Sequence, residues 1–296
     1  MIKECTIFNI NFKFQINIVK RVNHIAIFNF HQLSDVFDNK YHNRGTWTQI
    51  NFFEQQILWL KKNYKIITLE DAITMANKNL IDDKYACITF DDGDKSILNA
   101  MTILDKHNIP ATFFINSGYL NNKMAGWFHV YQYIENTPKY NHLLTADIKQ
   151  NIKYLRATDD IKLYNMYSKK IEDLYKYIKD EFDMFVKIED LQNINSDLFH
   201  IGLHGYEHQR FSMKTKDWQK ENILKDINIL SKLKVYRPIF AIPFGRPHDW
   251  NRKTIEVIFE LGLEFVYANG GVNISRNVGY HRIPADGRIL KKLRGQ

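Results

Sequence analysis

The sequence predicts an α/β fold built on parallel strands, and three observations support this prediction. The apolar run 86–90 ends abruptly at Asp91, Asp92 and Gly93, which is typical of a buried strand that carries acids to the mouth of a pocket. Helical spacing over 96–106 and a second apolar run over 109–115 follow, and this order predicts a parallel strand–helix–strand unit. The 296 residues are also enough for a complete α/β barrel.

The remaining elements are predicted from apolar periodicity and from cap residues. Thr68 with Asp71 is an N-cap pattern, and Gly262 is a C-cap residue. A strand that begins at Phe199 is expected to deliver His204. The other predicted strands are 25–31, 65–67, 239–245 and 264–268, and the other predicted helices are 54–63, 218–233 and 251–261.

Two segments stand apart from this pattern. Apolar and polar residues alternate from Phe8 to Ile18, which predicts one long half-buried strand. We expect residues 1–22 to form an appendage that packs on the main body or on another subunit, so an oligomer is possible through this strand. Residues 126–190 carry tyrosine, lysine and isoleucine at helical spacing with few glycines, which predicts a mostly helical insertion.

Composition argues against nucleic-acid-binding, disulfide-rich and membrane-spanning proteins. The net charge is +8 and the sequence pI is near 9.2, but the lysines are scattered and no nucleic-acid motif is present, so no nucleic-acid partner is predicted. The two cysteines, Cys5 and Cys87, make no disulfide framework. We find no transmembrane segment and no secretory signal pattern, and the expected location is cytoplasmic.

The acids and histidines at strand ends predict a catalytic metal site. Borderline metals such as Zn²⁺ take imidazole nitrogen and carboxylate oxygen together. His204 and His208 could share one ion if the chain between them makes one helical turn. Asp91 and Asp92 are expected to point in different directions, so one could bind metal while the other acts as a general base on metal-bound water. This chemistry would hydrolyse an amide or an ester.

Several motifs resemble those of the polysaccharide deacetylases, the carbohydrate esterase family 4 or NodB-homology group. Residues 89–93 (TFDDG) resemble the first signature, and 204–208 (HGYEH) resemble the histidine motif, with Gly205 where serine or threonine is usual. Residues 240–245 (FAIPFG) resemble the third motif, and 27–31 (IFNFH) resemble a strand of the exopolysaccharide and poly-N-acetylglucosamine deacetylase branch. The resemblance covers about residues 23–285, and we assign 23–296 to the deacetylase domain.

The resemblance implies a fold, a reaction and a set of residue roles. The implied fold is a distorted (β/α)7 barrel, and the implied reaction is metal-dependent removal of acetate from an N-acetylated saccharide. The cofactor would be a divalent metal, with Zn²⁺ first and Co²⁺ or Ni²⁺ as alternatives. The roles carried over are Asp91 as general base, Asp92, His204 and His208 as metal ligands, and Pro243, Phe244 and Gly245 as groove residues, with the backbone near Phe244 helping to hold the oxyanion.

Three departures from the family pattern affect the expected site. Ala241 stands where many members carry an arginine that contacts the base, and neither the Asp-x-x-Asp-Trp motif nor the Leu-x-His motif that supplies the general acid is evident. His31 is the first candidate for the missing acid, before His248 and His281. Asp286 is expected to orient such a histidine at the substrate.

Three readings of the function follow. The first is an active N-deacetylase that acts on a surface polysaccharide or its precursor. The second is a catalytically impaired carbohydrate-binding relative, suggested by the missing acid motif. The third is a basic nucleic-acid-binding protein, which only the net charge favours. Within the enzyme reading, a deformylase of a lipid-linked amino sugar stays an alternative, because the sequence does not distinguish acetyl from formyl.

Overall fold

The computed structural model describes residues 23–155, 157–276 and 278–285. The predicted N-terminal strand and Asp286 lie outside the described residues. Among the described helices, none has the length and apolar character needed to cross a membrane.

A closed barrel of parallel strands forms the centre of the described chain. The strands are β1 (His24–Phe30), β2 (Gln32–Leu33), β3 (Trp47–Thr48), β4 (Lys65–Ile66), β5 (Lys84–Phe90), β6 (Ala111–Ile115), β7 (Phe199–Leu203), β8 (Tyr236–Ala241), β9 (Glu264–Ala268) and β10 (Tyr280–Pro284). Within residues 23–285, seven strands close the ring in the order β1, β10, β9, β8, β7, β6, β5, and β5 pairs again with β1. β4 pairs with β5 outside the ring. The predicted distorted (β/α)7 barrel is therefore confirmed.

Helices cover the outside of the barrel. Those described are α1 (Ile50–Asn63), α2 (Leu69–Asn77), α3 (Ile97–Lys106), α4 (Trp127–Glu135), α5 (Ala146–Leu155), α6 (Ile161–Glu172), α7 (Ile188–Gln192), α8 (Lys216–Leu230) and α9 (Arg252–Glu260). The predicted caps are confirmed: the side chain of Thr68 accepts from the backbone N–H of Asp71, and Gly262 has a φ of 68° just after α9. Predicted boundaries differ from the observed ones by up to four residues. Apolar periodicity identifies a helix or strand but does not mark the residue at which it begins or ends.

The barrel places the polar ends of several strands at one rim. β1 and β5 are almost wholly buried and pair in parallel over seven residues, as expected for strands covered on both sides. Their carboxyl ends, at Phe30 and Phe90, are register partners. The residues that follow, His31 and Asp91, therefore leave the barrel at the same rim, where α/β barrels carry their sites.

The chain between β6 and β7 forms a second hydrophobic cluster beside this rim. It contains α4, α5 and α6 with short 3₁₀ turns at Ser117–Asn122, Pro138–Leu143 and Asp173–Tyr177. Its buried side chains are mostly aromatic or isoleucine, including Trp127, Tyr133, Tyr164, Ile171 and Phe182. The helical character predicted for 126–190 agrees with these elements, and its treatment as an insertion into the barrel domain remains our proposal.

Candidate active site and metal centre

The turn after β5 separates two adjacent carboxylates. The backbone N–H of Asp91 donates to the carbonyl of Phe30 at 3.0 Å, which fixes this residue to the rim. Asp92 then has a φ of 74° and Gly93 a φ of 72°, a left-handed conformation that is unfavourable for a residue with a side chain. A Cβ at Gly93 would lie 3.2 Å from the side chain of Ile115. This turn sends the two side chains into different surroundings.

The loop after β7 carries both histidines without forming a helix. Gly205 has a φ of 80°, and the chain from His204 to Arg210 contains bends and irregular structure. The helical turn considered as the means of bringing His204 and His208 together is not formed. The left-handed glycine bends the chain instead, and the ring centroids lie 4.8 Å apart. A Cβ at Gly205 would lie 2.9 Å from Asn222 Oδ1, so a larger residue here would meet both this contact and an unfavourable φ.

Two buried side chains hold this loop in place. Asp226 Oδ2 accepts the backbone N–H groups of His204 at 3.1 Å and Gly205 at 2.9 Å, and its Oδ1 accepts that of Ser117 at 2.9 Å. Asn116 Nδ2 donates to the carbonyls of His204 and Gly205 at 2.6 and 2.8 Å. Burial raises the pKa of Asp226 to about 6. The ends of β6 and β7 are thus joined through the backbone of the histidine loop.

Asp92, His204 and His208 converge on one point. Asp92 Oδ1 lies 3.3 Å from Nε2 of each histidine, and the three side chains offer ligand atoms that lie within 4.8 Å of one another. Nδ1 of His204 lies 2.8 Å from the carbonyl of Ala241. Because a carbonyl can only accept, this contact puts the proton on Nδ1 and leaves Nε2 free to bind a metal.

The residues of this group fit a divalent cation. Asp92 Oδ1 and His208 Nδ1 are buried atoms without a hydrogen-bond partner in the described chain, and an orphaned carboxylate oxygen is costly unless something satisfies it. Two imidazoles and one carboxylate form a donor set suited to Zn²⁺, with positions left open for water and substrate. Burial would raise the pKa of Asp92, but the two histidines lower it. Burial lowers the pKa of His208 to about 3, so this imidazole is neutral as a metal ligand must be.

Asp91 has different partners and is held as an anion. Arg282 Nη1 donates to Asp91 Oδ1 at 2.6 Å and Nη2 to Oδ2 at 2.7 Å, and Asn29 Nδ2 donates to Oδ2 at 2.9 Å. Burial would raise the pKa of Asp91, but the Arg282 guanidinium outweighs it and the pKa falls to about 2. Asp91 is thus charged and oriented, next to a metal-ligand group that it does not join.

Sequence reasoning missed Arg282. This residue is 1% exposed and reaches Asp91 from β10. It supplies the guanidinium that the family pattern would place at Ala241. The sequence signal for this residue is an arginine within a short strand pattern, because a charged side chain is rarely buried without a partner. The sequence does not show which acid is that partner.

The structure separates the three histidines considered as a general acid. His31 Nε2 lies 3.9 Å from Asp91 Oδ2, and its ring lines the same cavity. His248 lies in the wall of that cavity, with Nε2 3.4 Å from Asp249 Oδ1. His281 instead faces Tyr267, whose hydroxyl lies 3.2 Å from its Nε2, and it is not among the lining residues described for the cavity.

The predicted groove residues are brought together only in part. Phe244 lines the cavity, and its ring centroid lies 4.4 Å from that of His208. Phe244 and Gly245 both have positive φ, 61° and 70°, and a Cβ at Gly245 would lie 2.7 Å from the backbone nitrogen of Ala268. Pro243 and Gly245 shape this turn without lining the cavity described.

The cavity has about 350 Å³ and opens at the barrel rim. Its polar floor is Asp91, Asp92, His204, His208 and Arg282, and aromatic side chains from α4 form one wall. A space of this size with a few convergent polar groups can hold a small organic group beside a metal. A carboxylate beside a bound cation can activate water, and the cation can polarise a carbonyl.

Comparisons with known proteins agree with the fold and the motifs. A family model described as polysaccharide deacetylase matches residues 78–266. A poly-beta-1,6-N-acetyl-D-glucosamine N-deacetylase of Staphylococcus aureus is 40% identical over 73 residues, which are 24% of this chain and 25% of that protein. The chain thus aligns with about a quarter of the length of such curated relatives.

Solved structures share the fold over most of the chain. IcaB from Ammonifex degensii has a TM-score of 0.59 at 16% identity, with 92% of this chain and 96% of that chain covered. A de-N-acetylase from Aggregatibacter actinomycetemcomitans has a TM-score of 0.61 at 15% identity, with 91% and 99% covered. The family model covers more than half of the chain, and the barrel it implies is the one observed. The chain belongs to the polysaccharide deacetylase family.

Proposed function

We propose that the protein is a metal-dependent N-deacetylase that removes acetyl groups from amino sugars of a surface polysaccharide or its precursor. The observation that carries the proposal is that two neighbouring carboxylates at one rim of the barrel have different partners. Asp92, His204 and His208 form a group that can hold a cation, and Asp91 stands beside it with other partners. A carbohydrate-binding relative would have no use for a charged, oriented carboxylate beside the candidate metal group.

The roles of the residues follow from their contacts. A Zn²⁺ ion held by Asp92, His204 and His208 would polarise the amide carbonyl and acidify the attacking water. Asp91 accepts the proton of that water, and Arg282 and Asn29 keep its carboxylate aimed during the transfer. Addition of water to the carbonyl carbon gives a tetrahedral intermediate, and its collapse breaks the C–N bond and releases acetate and a free amine once the nitrogen has gained a proton.

The leaving nitrogen must gain a proton, and we assign this step to His31. Its ring lines the cavity and lies 3.9 Å from Asp91, so it can reach a substrate that contacts the base. Phe244 is the proposed neighbour of the oxyanion, since its turn borders the cavity beside His208. Pro243 and Gly245 are proposed to shape that turn, and the substrate contact suggested for Asp286 stays a prediction.

Metal-dependent acetate release tests the proposal. The purified chain, stripped of metal and reloaded with Zn²⁺, Co²⁺ or Ni²⁺, is expected to release acetate from N-acetylglucosamine oligosaccharides. Asp91→Asn should lower kcat by about 10²–10⁴-fold while metal content stays the same. Absence of acetate release with every metal would contradict the proposal, and formate release from an N-formylated sugar alone would favour the deformylase reading.

A second assay isolates the acid. His31→Gln is expected to slow amide hydrolysis by about 10²-fold or more, because an amine cannot leave without a proton. The same variant should hydrolyse 4-nitrophenyl acetate at nearly the wild-type rate, since nitrophenolate leaves unprotonated. Equal losses on both substrates would contradict the assignment of the general acid to His31. The cytoplasmic location and an oligomer through residues 1–22 remain predictions.

A further inference from the structure

The residue that follows the proposed acid is a buried glutamine whose carboxamide is fully hydrogen-bonded. Gln32 is 6% exposed. Its Nε2 donates to the carbonyl of Tyr41 at 2.7 Å and to Asp94 Oδ2 at 3.2 Å. Its Oε1 accepts from the backbone N–H of Asn43 at 3.0 Å and from the Thr46 hydroxyl at 3.4 Å. A carboxamide has two donor hydrogens and two acceptor lone pairs, so this side chain uses every hydrogen-bonding position it has.

We propose that Gln32 is a positioning residue for His31, the group assigned above to protonation of the leaving nitrogen; this inference rests on the proposed function. His31 lies between the end of β1 and Gln32. Its side chain is 20% exposed, and its Nε2 lies 3.9 Å from Asp91 Oδ2. A partly exposed ring is not held by packing on all sides, so its place in the cavity depends on how firmly the chain beside it is fixed.

The backbone after the proposed acid is fixed at successive residues. The N–H of Gln32 donates to the carbonyl of Thr46 at 3.2 Å. The N–H of Leu33 donates to Ser96 Oγ at 2.8 Å, and Asn99 Nδ2 donates to the carbonyl of Leu33 at 3.1 Å. On the other side of the proposed acid, β1 pairs with β5. The chain is therefore anchored both before and after the imidazole.

Asp94 connects this segment to the turn that carries the proposed base and a candidate metal ligand. It is 3% exposed and lies two residues after Asp92, and its Oδ1 accepts the backbone N–H of Ser96 at 2.8 Å. The bond from Gln32 to Asp94 thus joins the segment of the acid to the turn after β5. An acid must reach the leaving nitrogen while the base, Asp91, activates water at the neighbouring carbon, so their relative position affects the rate.

Leaving-group dependence tests the inference. The zinc-loaded full chain is assayed on N-acetylglucosamine oligosaccharides and on 4-nitrophenyl acetate, whose nitrophenolate leaves without a proton. Gln32→Met keeps a side chain of similar length and removes its hydrogen bonds. We expect it to lower the ratio of amide to ester kcat by about tenfold or more, whereas a loss of folded protein would lower both rates equally. Gln150→Met, at an exposed position on α5, should leave the ratio unchanged. An unaltered ratio in Gln32→Met would overturn the inference while leaving the proposed function standing.

A milder variant and a spectroscopic measurement keep the test independent of folding and of turnover. Ser96→Ala removes the acceptor of the Leu33 N–H and should lower the same ratio by a smaller factor, so it carries the test where Gln32→Met does not fold. The imidazole Cε1–H resonance of His31, identified by its absence in His31→Gln, should shift in both variants and stay in place in Gln150→Met. Such a shift in a protein that releases no acetate would reject the proposed function and keep the positioning role. An unshifted resonance in both variants would overturn that role.

Discussion

Arg282 determines the charge state of the proposed base more than any residue of the base's own strand. Its guanidinium makes a bidentate contact with Asp91 in a wholly buried setting. Asn29 Oδ1 accepts from Arg282 at 2.9 Å and from Thr89 at 3.1 Å, which holds both partners in line. Breaking one partner of such a pair leaves a buried charge unpaired, and this is expensive.

Replacing this arginine should therefore affect stability as well as rate. Arg282→Met is expected to lower the free energy of unfolding by about 3–5 kcal/mol and to lower kcat in any fraction that folds. Urea denaturation measures the first effect. Arg252→Met is the matched control, because Arg252 is exposed and its ion pair among the described residues is with Glu256 on the same helix. This variant should change stability by less than about 0.5 kcal/mol. Similar losses in both variants would contradict the assignment.

Asp226 positions the backbone of His204, a candidate metal ligand, without belonging to the candidate metal group itself. The Asp226 carboxylate accepts hydrogen bonds from the backbone N–H groups of His204 and Gly205. In Asp226→Asn one oxygen is replaced by an NH₂ group, which cannot accept a hydrogen bond from a backbone N–H. We expect zinc affinity to fall by about 10–100-fold, measured by competition with a chromophoric chelator. Glu221→Gln, at an exposed position on the same helix α8, should leave the affinity unchanged. Unaltered affinity in Asp226→Asn would contradict this positioning role of Asp226.

At the scale of elements, residues with positive φ in the turns after three strands set the geometry of the candidate active site. Asp92, Gly205 and Phe244 all have positive φ and follow β5, β7 and β8. The sequence predicted these strands and the residues they deliver, since buried parallel strands have a strong apolar signature. It did not predict the turns, because a positive φ at an aspartate or phenylalanine is imposed by tertiary contacts. At 204–208 the left-handed residue is Gly205, and the chain there is irregular where one helical turn had been considered.

Gly205 allows the cost of that turn to be measured. Gly205→Ala meets both an unfavourable φ and the contact with Asn222, whereas Gly262→Ala meets a similar φ of 68° with open space around it. We expect Gly262→Ala to lower the free energy of unfolding by about 1–2 kcal/mol. Gly205→Ala should lower it further and also weaken zinc binding. Denaturation and chelator competition on both variants test this, and equal losses of stability with equal zinc affinity would contradict it.

At the scale of the whole molecule, two hydrophobic clusters meet at the active-site rim. The barrel cluster could be predicted from apolar strands and amphipathic helices. The cluster around α4 to α6 could be predicted only as helical, because tyrosine at helical spacing does not show which face packs and which lines a cavity. Trp127 and Phe128, neighbours on α4, line both the candidate active-site cavity and a second cavity beside it.

The junction of these clusters contains a carboxyl whose titration should make stability depend on pH. Burial raises the pKa of Glu172 to about 7 from 4.5. Gln209 donates to it at 2.6 Å, and Glu207 and Lys214 are the charged groups that face it. Between about pH 4.5 and 7 the folded state holds a proton that the unfolded state has lost. The contribution of Glu172 to stability is therefore present below pH 4.5 and is lost as the pH rises through 7.

Glu172→Gln removes that titration and tests the assignment. In the wild type, the free energy of unfolding should fall from pH 5 to pH 8 by an amount that includes up to about 3 kcal/mol from this group. The variant should show a smaller fall, and at pH 8 it should be more stable than the wild type. Urea denaturation at both pH values measures the difference, with Glu221→Gln as the exposed control. Parallel falls in the wild type and Glu172→Gln would show that Glu172 is ionised in the folded protein, stabilised by Gln209 and Lys214 against the cost of its burial.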